Sequence, residues 1–244
     1  MFSLYNPFDS KKIAEYQYIK DDEATVIVKI GQEEYSQWRM LSVNSRLKFI
    51  KNLIPSLQKS KNKLSLQCVL EMGKPIKQAI AEVEKCELLC NYYLDNAASM
   101  MAPLHLASDA RESFVAYEPL GVILGVMPWN FPYWQVFRFA IPAIIAGNCV
   151  VVKHASNVAG CAQLIEELFT EAGFPKGVYQ NLLISGDQVK AIIEHPAIKG
   201  VSVTGSEKAG ASVASVAASH IKKAVLELGG SNAFIVCADA DLEK

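Results

Sequence analysis

The 244-residue chain is 51% hydrophobic and 20% charged, an ordinary globular composition with material for one large domain or two smaller ones. Its 24 Lys and Arg face 25 acidic residues, and a net charge of −1 gives no electrostatic reason to expect nucleic acid or an anionic membrane as partner. The start, MFSLYNPFDSKK, lacks a basic segment followed by an apolar one, and the runs 120–127 and 139–152 are too short, or too interrupted by Pro142 and Asn148, to span a bilayer; a soluble, cytoplasmic protein is expected.

Residues 1–30 read as extended, with a turn at Asn6-Pro7 and a strand-like run from Ala24 to Ile30. From Gly31 to Ala98 the period becomes helical. Leu41, Leu47, Ile50, Ile54 and Leu57 outline one amphipathic helix starting near Ser42 or Asn44, which Pro55 should kink or interrupt. Leu64 to Met72 predicts a second helix stopped by Gly73-Lys74-Pro75, and Ile76 to Asp95 a third. Residues 99–110 read as a loop, and the alternation from Arg111 to Tyr117 predicts a β-ribbon. Three regions follow: an N-terminal arm with helices over 1–110, the ribbon over 111–120, and an α/β portion over 121–244.

In that last portion strand and helix alternate. Strands are expected at Val122–Val126, Cys149–Val152, Gln180–Ile184, Gly200–Val203 and Val225–Leu228, with Ala233–Val236 closing. Helices are expected at Pro132–Ile145, Val158–Ala172, Gln188–Glu194 and Ser206–His220. The alternation predicts a parallel, doubly wound sheet, whose ligands bind beyond the carboxyl ends of the strands. The candidate residues therefore lie just past each strand. Asn130 sits in the rigid turn Met127-Pro128-Trp129-Asn130-Phe131-Pro132, where its amide either donates to a ligand or satisfies its own backbone. Lys153 either snorkels to solvent or reaches a ribose or phosphate. Gly205-Ser206 opens a helix whose N-terminus suits a phosphate, or is a plain Ser cap. Glu227, among apolar neighbours, suits a general base, or pairs with Lys222 or Lys223.

The six cysteines form no Cys-x-x-Cys pair. Cys86 and Cys90 share a helix face but no further ligand completes a site, so reduced buried thiols and no metal are expected. Cys237, at the edge of the last expected strand, reads as packing.

Taken together, Pro128-Trp129-Asn130-Phe131-Pro132, Lys153, Gly205-Ser206-x3-Gly210 and Glu227-Leu228-Gly229-Gly230 resemble the ordered motifs of the NAD(P)-dependent aldehyde dehydrogenases. Asn6-Pro7, Glu71-Met72-Gly73-Lys74-Pro75 and Glu118-Pro119-Leu120-Gly121 extend the resemblance over nearly the whole chain. Within the family, Trp134-Gln135-Val136-x-Arg138 and Lys153-His154-Ala155-x-Asn157-Val158 are similar to bacterial succinate-semialdehyde dehydrogenases.

The resemblance implies a Rossmann-type parallel sheet with an N-terminal helical segment and a β-ribbon, and oxidation of a small aldehyde through a Cys thioester with NAD or NADP. It makes Asn130 the oxyanion donor and Glu227 the general base. It places Met127, Pro128, Trp129, Lys153, His154, Ala155, Ser156, Gly205, Ser206 and Leu228 at the cofactor, and Trp134 and Arg138 at the substrate, Arg138 gripping a distal carboxylate. Ser156 stands where NAD-preferring relatives often carry Glu, which admits NADP. The family's nucleophilic Cys lies downstream of Glu-Leu-Gly-Gly, so the chain reads as an N-terminal portion without its catalytic lobe, inactive in isolation. A full-length dimer or tetramer is expected through the ribbon. The alternatives are a non-catalytic dinucleotide-binding fragment, or an aldehyde dehydrogenase of another specificity.

Overall fold

A computed structural model of the chain describes residues 1–242. The N-terminal arm is an antiparallel hairpin of β1 (Phe2–Tyr5) and β2 (Lys12–Tyr16), turned at Asn6, whose Oδ1 accepts the Phe8 N–H at 2.9 Å. The hairpin rests on the end of the second helix, where Gly73 is left-handed (φ 74°) and a Cβ would stand 3.0 Å from the Pro7 ring.

The helical segment departs from the sequence expectation in two places. Ala24–Ile30 is not a strand; it lies inside α1 (Asp21–Trp38). The β-branched run favours a strand locally, but Ala24, Val28, Gly31, Tyr35 and Trp38 bury one helical face against the sheet. Glu23 also accepts the Lys20 N–H at 2.8 Å, and three acidic residues complement the helix N-terminus. Nor does Pro55 interrupt anything: α2 (Val43–Met72) is one 30-residue helix. Pro55 lies on its exposed side, as does Lys51, whose carbonyl loses its partner, so water can replace the missing N–H. The third helix, α3 (Ile76–Met100), runs about a turn longer than expected. The ribbon pairs β3 (Leu104–His105) with β4 (Phe114–Val115), so its first strand falls within the segment read as a loop.

Beyond it the chain alternates β5 (Val122–Met127), α4 (Trp134–Ile145), β6 (Cys149–His154), α5 (Ala159–Glu171), β7 (Tyr179–Asn181), α6 (Val189–Glu194), β8 (Ile198–Gly205), α7 (Glu207–Ser219) and β9 (Lys223–Leu228). All five strands from β5 to β9 are parallel, in the order β7-β6-β5-β8-β9. Helices α4 and α5, backed by α2 and α3, pack on one side; α1, α6 and α7 pack on the other. Burial on both faces explains the continuous apolar runs of β5 and β6. Strand β9 is exposed along its length, and Ala233–Val236 forms no strand: it has no hydrogen-bonded neighbour among the described residues. Cys237 is correspondingly exposed rather than packed, whereas the other five cysteines are buried.

Candidate functional site

The strand order reverses between β5 and β8, so their carboxyl ends diverge into a crevice. The turn after β5 forms one wall; the ends of β8 and β9, with the first turn of α7, form the other. The open cleft between them, of about 440 Å³, is lined by Pro128, Trp129, Asn130, Gln135, Arg138 and the strand-end residues Thr204–Ser206 and Glu227–Gly229. A second cleft, of about 350 Å³, opens on the α6–α7 side and holds Lys153, with Asp187, Lys190, Ala209, Ser212 and Val213.

Asn130 is exposed in the first cleft, and its amide makes no hydrogen bond to its own turn or to any other described residue. The self-satisfied turn is therefore not what forms. Its neighbours are held instead. Tyr133, at the N-cap of α4, supplies no side-chain cap; Glu82 of α3 does so, its Oε1 accepting the N–H of Tyr133 at 2.8 Å and of Trp134 at 3.0 Å. Glu82 Oε2 meets Lys74 Nζ, and that ammonium lies 3.7 Å from the Phe131 ring centroid. At the other end of α4, Trp38 Nε1 donates to the Ile144 carbonyl at 2.9 Å and Arg46 Nε to Ile145 at 2.7 Å. The helix carrying the cleft residues is thus tied down at both ends.

Across the cleft, Glu227 is half-exposed and pairs with Arg138, Oε2 to Nη1 at 3.5 Å. The pairing corrects the expected partner: neither Lys222 nor Lys223 holds that carboxylate, and Lys222 Nζ donates instead to the carbonyls of Ile193 and His195. The Arg138–Glu227 pair is open to water and worth at most about 1 kcal/mol, so an incoming anion can displace it at little cost. Gln135, one helical turn before Arg138 on the same face, was not singled out by sequence reasoning, yet its amide reaches the cleft with a buried, unpartnered Oε1. Trp134 faces elsewhere, its ring 4.0 Å from Lys85 Nζ, and does not line the cleft.

Ser206 caps α7, its Oγ accepting the Ala209 N–H at 3.2 Å, and leaves the helix N-terminus facing the cleft. Gly210 has its own reason: a Cβ there would come 2.5 Å from Leu228 Cδ2, so β9 can close on α7 only over a glycine. Gly229 N–H then donates to the Gly205 carbonyl at 3.2 Å, joining the two strand-end motifs.

Lys153 is half-buried, and loss of water around it pulls its pKa down; its ammonium has no partner among the described residues. Ala155 and Ser156, just past β6, are half-buried. Met127 and His154, expected at the cofactor, line neither cleft. Met127 is buried and its carbonyl accepts the Ala155 N–H at 3.0 Å. His154 is buried beneath the turn: Nδ1 accepts the Ala155 N–H at 2.9 Å, so Nε2 carries the proton and donates to the Pro132 carbonyl at 2.7 Å. Burial first, and then the Lys153 charge, push its pKa down to about 4.

Glu71, quoted above only as part of a motif, also has a structural task. Its two oxygens accept the N–H groups of Gly160 and Cys161 at 2.7 and 2.9 Å, closing the N-terminus of α5. The available signal for both buried acids was their place on an apolar stripe, Glu71 with Leu64 and Cys68, Glu82 with Ala79, Val83 and Cys86.

A parallel sheet with a switch-point cleft, an unpaired amide on one wall and a carboxylate on the other defines a doubly wound α/β ligand-binding scaffold. The chain belongs to the aldehyde dehydrogenase family, whose model matches residues 1–244. It is 46% identical over 239 residues to a probable succinate-semialdehyde dehydrogenase [NADP(+)] of Synechocystis, covering 98% of this chain and 53% of that protein. It is 40% identical to the succinate semialdehyde dehydrogenase [NAD(P)+] of Escherichia coli, covering 98% and 52%. The crystal structure of succinic semialdehyde dehydrogenase from Streptococcus pyogenes, in complex with NADP+, superposes with a TM-score of 0.93 at 34% identity, over 100% of this chain and 54% of that one. The chain therefore spans about half the length of the curated relatives it matches.

Proposed function

We propose that this chain supplies the cofactor cleft and part of the catalytic apparatus for NAD(P)-dependent oxidation of succinate semialdehyde, with NADP accepted. The observation that carries the reading is Arg138, whose guanidinium faces the same cleft as Asn130 and Glu227. An aldehyde entering there with a distal carboxylate meets a cation able to hold it bidentately, while Asn130 Nδ2 can donate to the oxygen that becomes negative. Binding of that carboxylate to Arg138 releases Glu227, which is then free to take a proton from water.

The chain's own residues fit a dinucleotide. Lys153 Nζ is a half-buried, unpartnered donor in the second cleft, where a ribose hydroxyl or phosphate would satisfy it. The small residues Ala209 and Ser212 leave space beside it, and the α7 N-terminus at Ser206 suits a pyrophosphate. Ser156 places no negative charge near a 2′-phosphate. The nicotinamide supplies the hydride acceptor. No cysteine lines either cleft among the described residues, so a polypeptide limited to these 244 residues is expected to bind cofactor without oxidising aldehyde.

The test uses the protein at the length the cell makes. Rates with NADP+ are compared for succinate semialdehyde and for butanal, with and without Arg138→Met. Loss of the guanidinium should raise KM for succinate semialdehyde by about tenfold or more relative to butanal. An unchanged ratio between the two substrates would remove Arg138 from substrate recognition, whatever happened to the absolute rates.

A further inference from the structure

The Lys74–Glu82 ion pair has no place in the reaction just described. Its side chains are 5% and 0% exposed, and neither residue lines a cleft. A buried ion pair is a poor way to gain stability, because desolvating two charges offsets most of their attraction. A helix N-terminus is ordinarily closed by a Ser, Thr, Asp or Asn at its own cap. Helix α4 instead begins at Tyr133 without a local cap and takes its acceptor from α3, 51 residues earlier in the chain for Tyr133.

The difference is mechanical. A local cap satisfies the N–H groups wherever the helix happens to sit. An acceptor rooted in α3 satisfies them only when the turn is at one distance and angle from α3. The other contacts share this property. Glu82 holds the Tyr133 and Trp134 amides; Lys74, oriented by Glu82, holds the Phe131 ring; His154 on β6 holds the Pro132 carbonyl at 2.7 Å. The Tyr133 hydroxyl adds a bond to the Leu64 carbonyl of α2 at 2.7 Å. Every residue from Phe131 to Trp134 is thus held from outside the segment, Tyr133 and Trp134 by the same Glu82, and the residue immediately before them, Asn130, is left without any partner. Rigid neighbours around one unpaired amide are what a preorganised donor requires, since a fixed dipole costs no reorganisation when charge develops.

We propose that Glu82 and Lys74 are positioning residues that aim the Asn130 carboxamide into the cleft, acting through the Phe131–Trp134 segment. The inference rests on the reading of Asn130 as the oxyanion donor, but it fails or survives separately from it.

The structural arm uses the chain itself: amide exchange is read on uniformly 15N-labelled protein, and the Asn130 side-chain signal on protein labelled selectively with 15N-Asn, where it is assigned by its loss in Asn130→Asp. Glu82→Ala should speed amide exchange at Tyr133 and Trp134 about tenfold or more and shift the Asn130 carboxamide signal, while amides of α5 stay as protected as before. Glu82→Gln, which keeps an acceptor oxygen, should recover most of that protection. If Glu82→Ala does not fold, Lys74→Met carries the test: it should move the Asn130 signal with the fold retained. An Asn130 signal that ignores Lys74→Met, or faster exchange at Tyr133 and Trp134 with no change at Asn130, overturns the proposal.

The kinetic arm uses the protein at its cellular length. Lys74→Met should lower kcat about tenfold or more with KM for NADP+ little changed. Added to Asn130→Ala, it should cost almost nothing further, because it acts through the amide already removed. Multiplying losses in the double variant would overturn the positioning role. If Asn130→Ala by itself leaves kcat intact, the oxyanion reading falls, and the exchange and Asn130-signal data still decide whether Glu82 and Lys74 set that amide's orientation.

Discussion

Acidifying the protein should load a proton onto one imidazole in the unfolded chain long before the folded chain accepts it. His154 is 6% exposed and uses both ring nitrogens, one as acceptor and one as donor, so protonating Nδ1 breaks its bond to the Ala155 N–H. Its pKa falls from 6.5 to about 4 in the folded state, because burial and then the Lys153 charge disfavour the imidazolium. Between those values the unfolded state binds more protons than the folded one, so stability rises with pH there and is lost as pH falls from about 6.5 to about 4. The full effect is roughly 3 kcal/mol, most of it gone by about pH 4.5. Urea unfolding followed by circular dichroism, at constant ionic strength from about pH 7.5 to about pH 4.5, measures it. Carboxylates titrate in the same range, so the informative quantity is the difference between the native chain and His154→Gln. Gln can keep a donor to the Pro132 carbonyl but does not titrate. The native chain should lose about 2–3 kcal/mol more than the variant over this range. Parallel curves would show that His154 is not held neutral and that the turn is not fastened by its Nε2 proton.

Glu71→Ala leaves the Gly160 and Cys161 N–H groups buried without an acceptor and should cost about 2–5 kcal/mol in urea unfolding, whereas Glu71→Gln should cost distinctly less. Gly160→Ala should be comparably harmful by overpacking, since its Cβ would lie 2.3 Å from Gln67 Nε2 and 2.6 Å from Glu71 Oε1. Ser156→Glu should weaken NADP+ binding about tenfold relative to NAD+ in calorimetric titration of the chain; equal losses for both would detach Ser156 from the 2′ position. Under native conditions a chromogenic disulfide should react quickly with Cys237 alone. The other thiols should respond only on unfolding, burial having pushed Cys68 and Cys90 up to about 12 and Cys86 and Cys161 well above the ordinary range.

The parallel sheet and its strand ends were legible because their signals are local. Val122–Met127 and Cys149–Val152 are β-branched runs bounded by turn residues, and Ser206 and Gly73 mark helix ends through their own backbone chemistry. The candidate residues past β5, β6, β8 and β9 followed from that reading alone, since parallel strands bring their carboxyl ends to one side. Local signals failed at Ala24–Ile30, where β-branched composition pointed to a strand and the burial of one face decided for a helix. They failed again at Pro55, whose effect depends on whether solvent reaches the Lys51 carbonyl.

Partner choice was decided only in three dimensions. Nothing near Glu227 in the chain indicates Arg138 over Lys222 or Lys223, and nothing near Glu82 indicates the amides of Tyr133 and Trp134. Those pairings depend on how α3 crosses the start of α4 and how closely β9 seats on α7, distances set by packed side chains and by the absence of a Cβ at Gly210. The sequence by itself determined which strand ends carry the cleft, but not that Gln135 lines it while Trp134 does not. Tertiary structure decided which residues are already satisfied, which side chains hold the turn, and that the amide of Asn130 stays free.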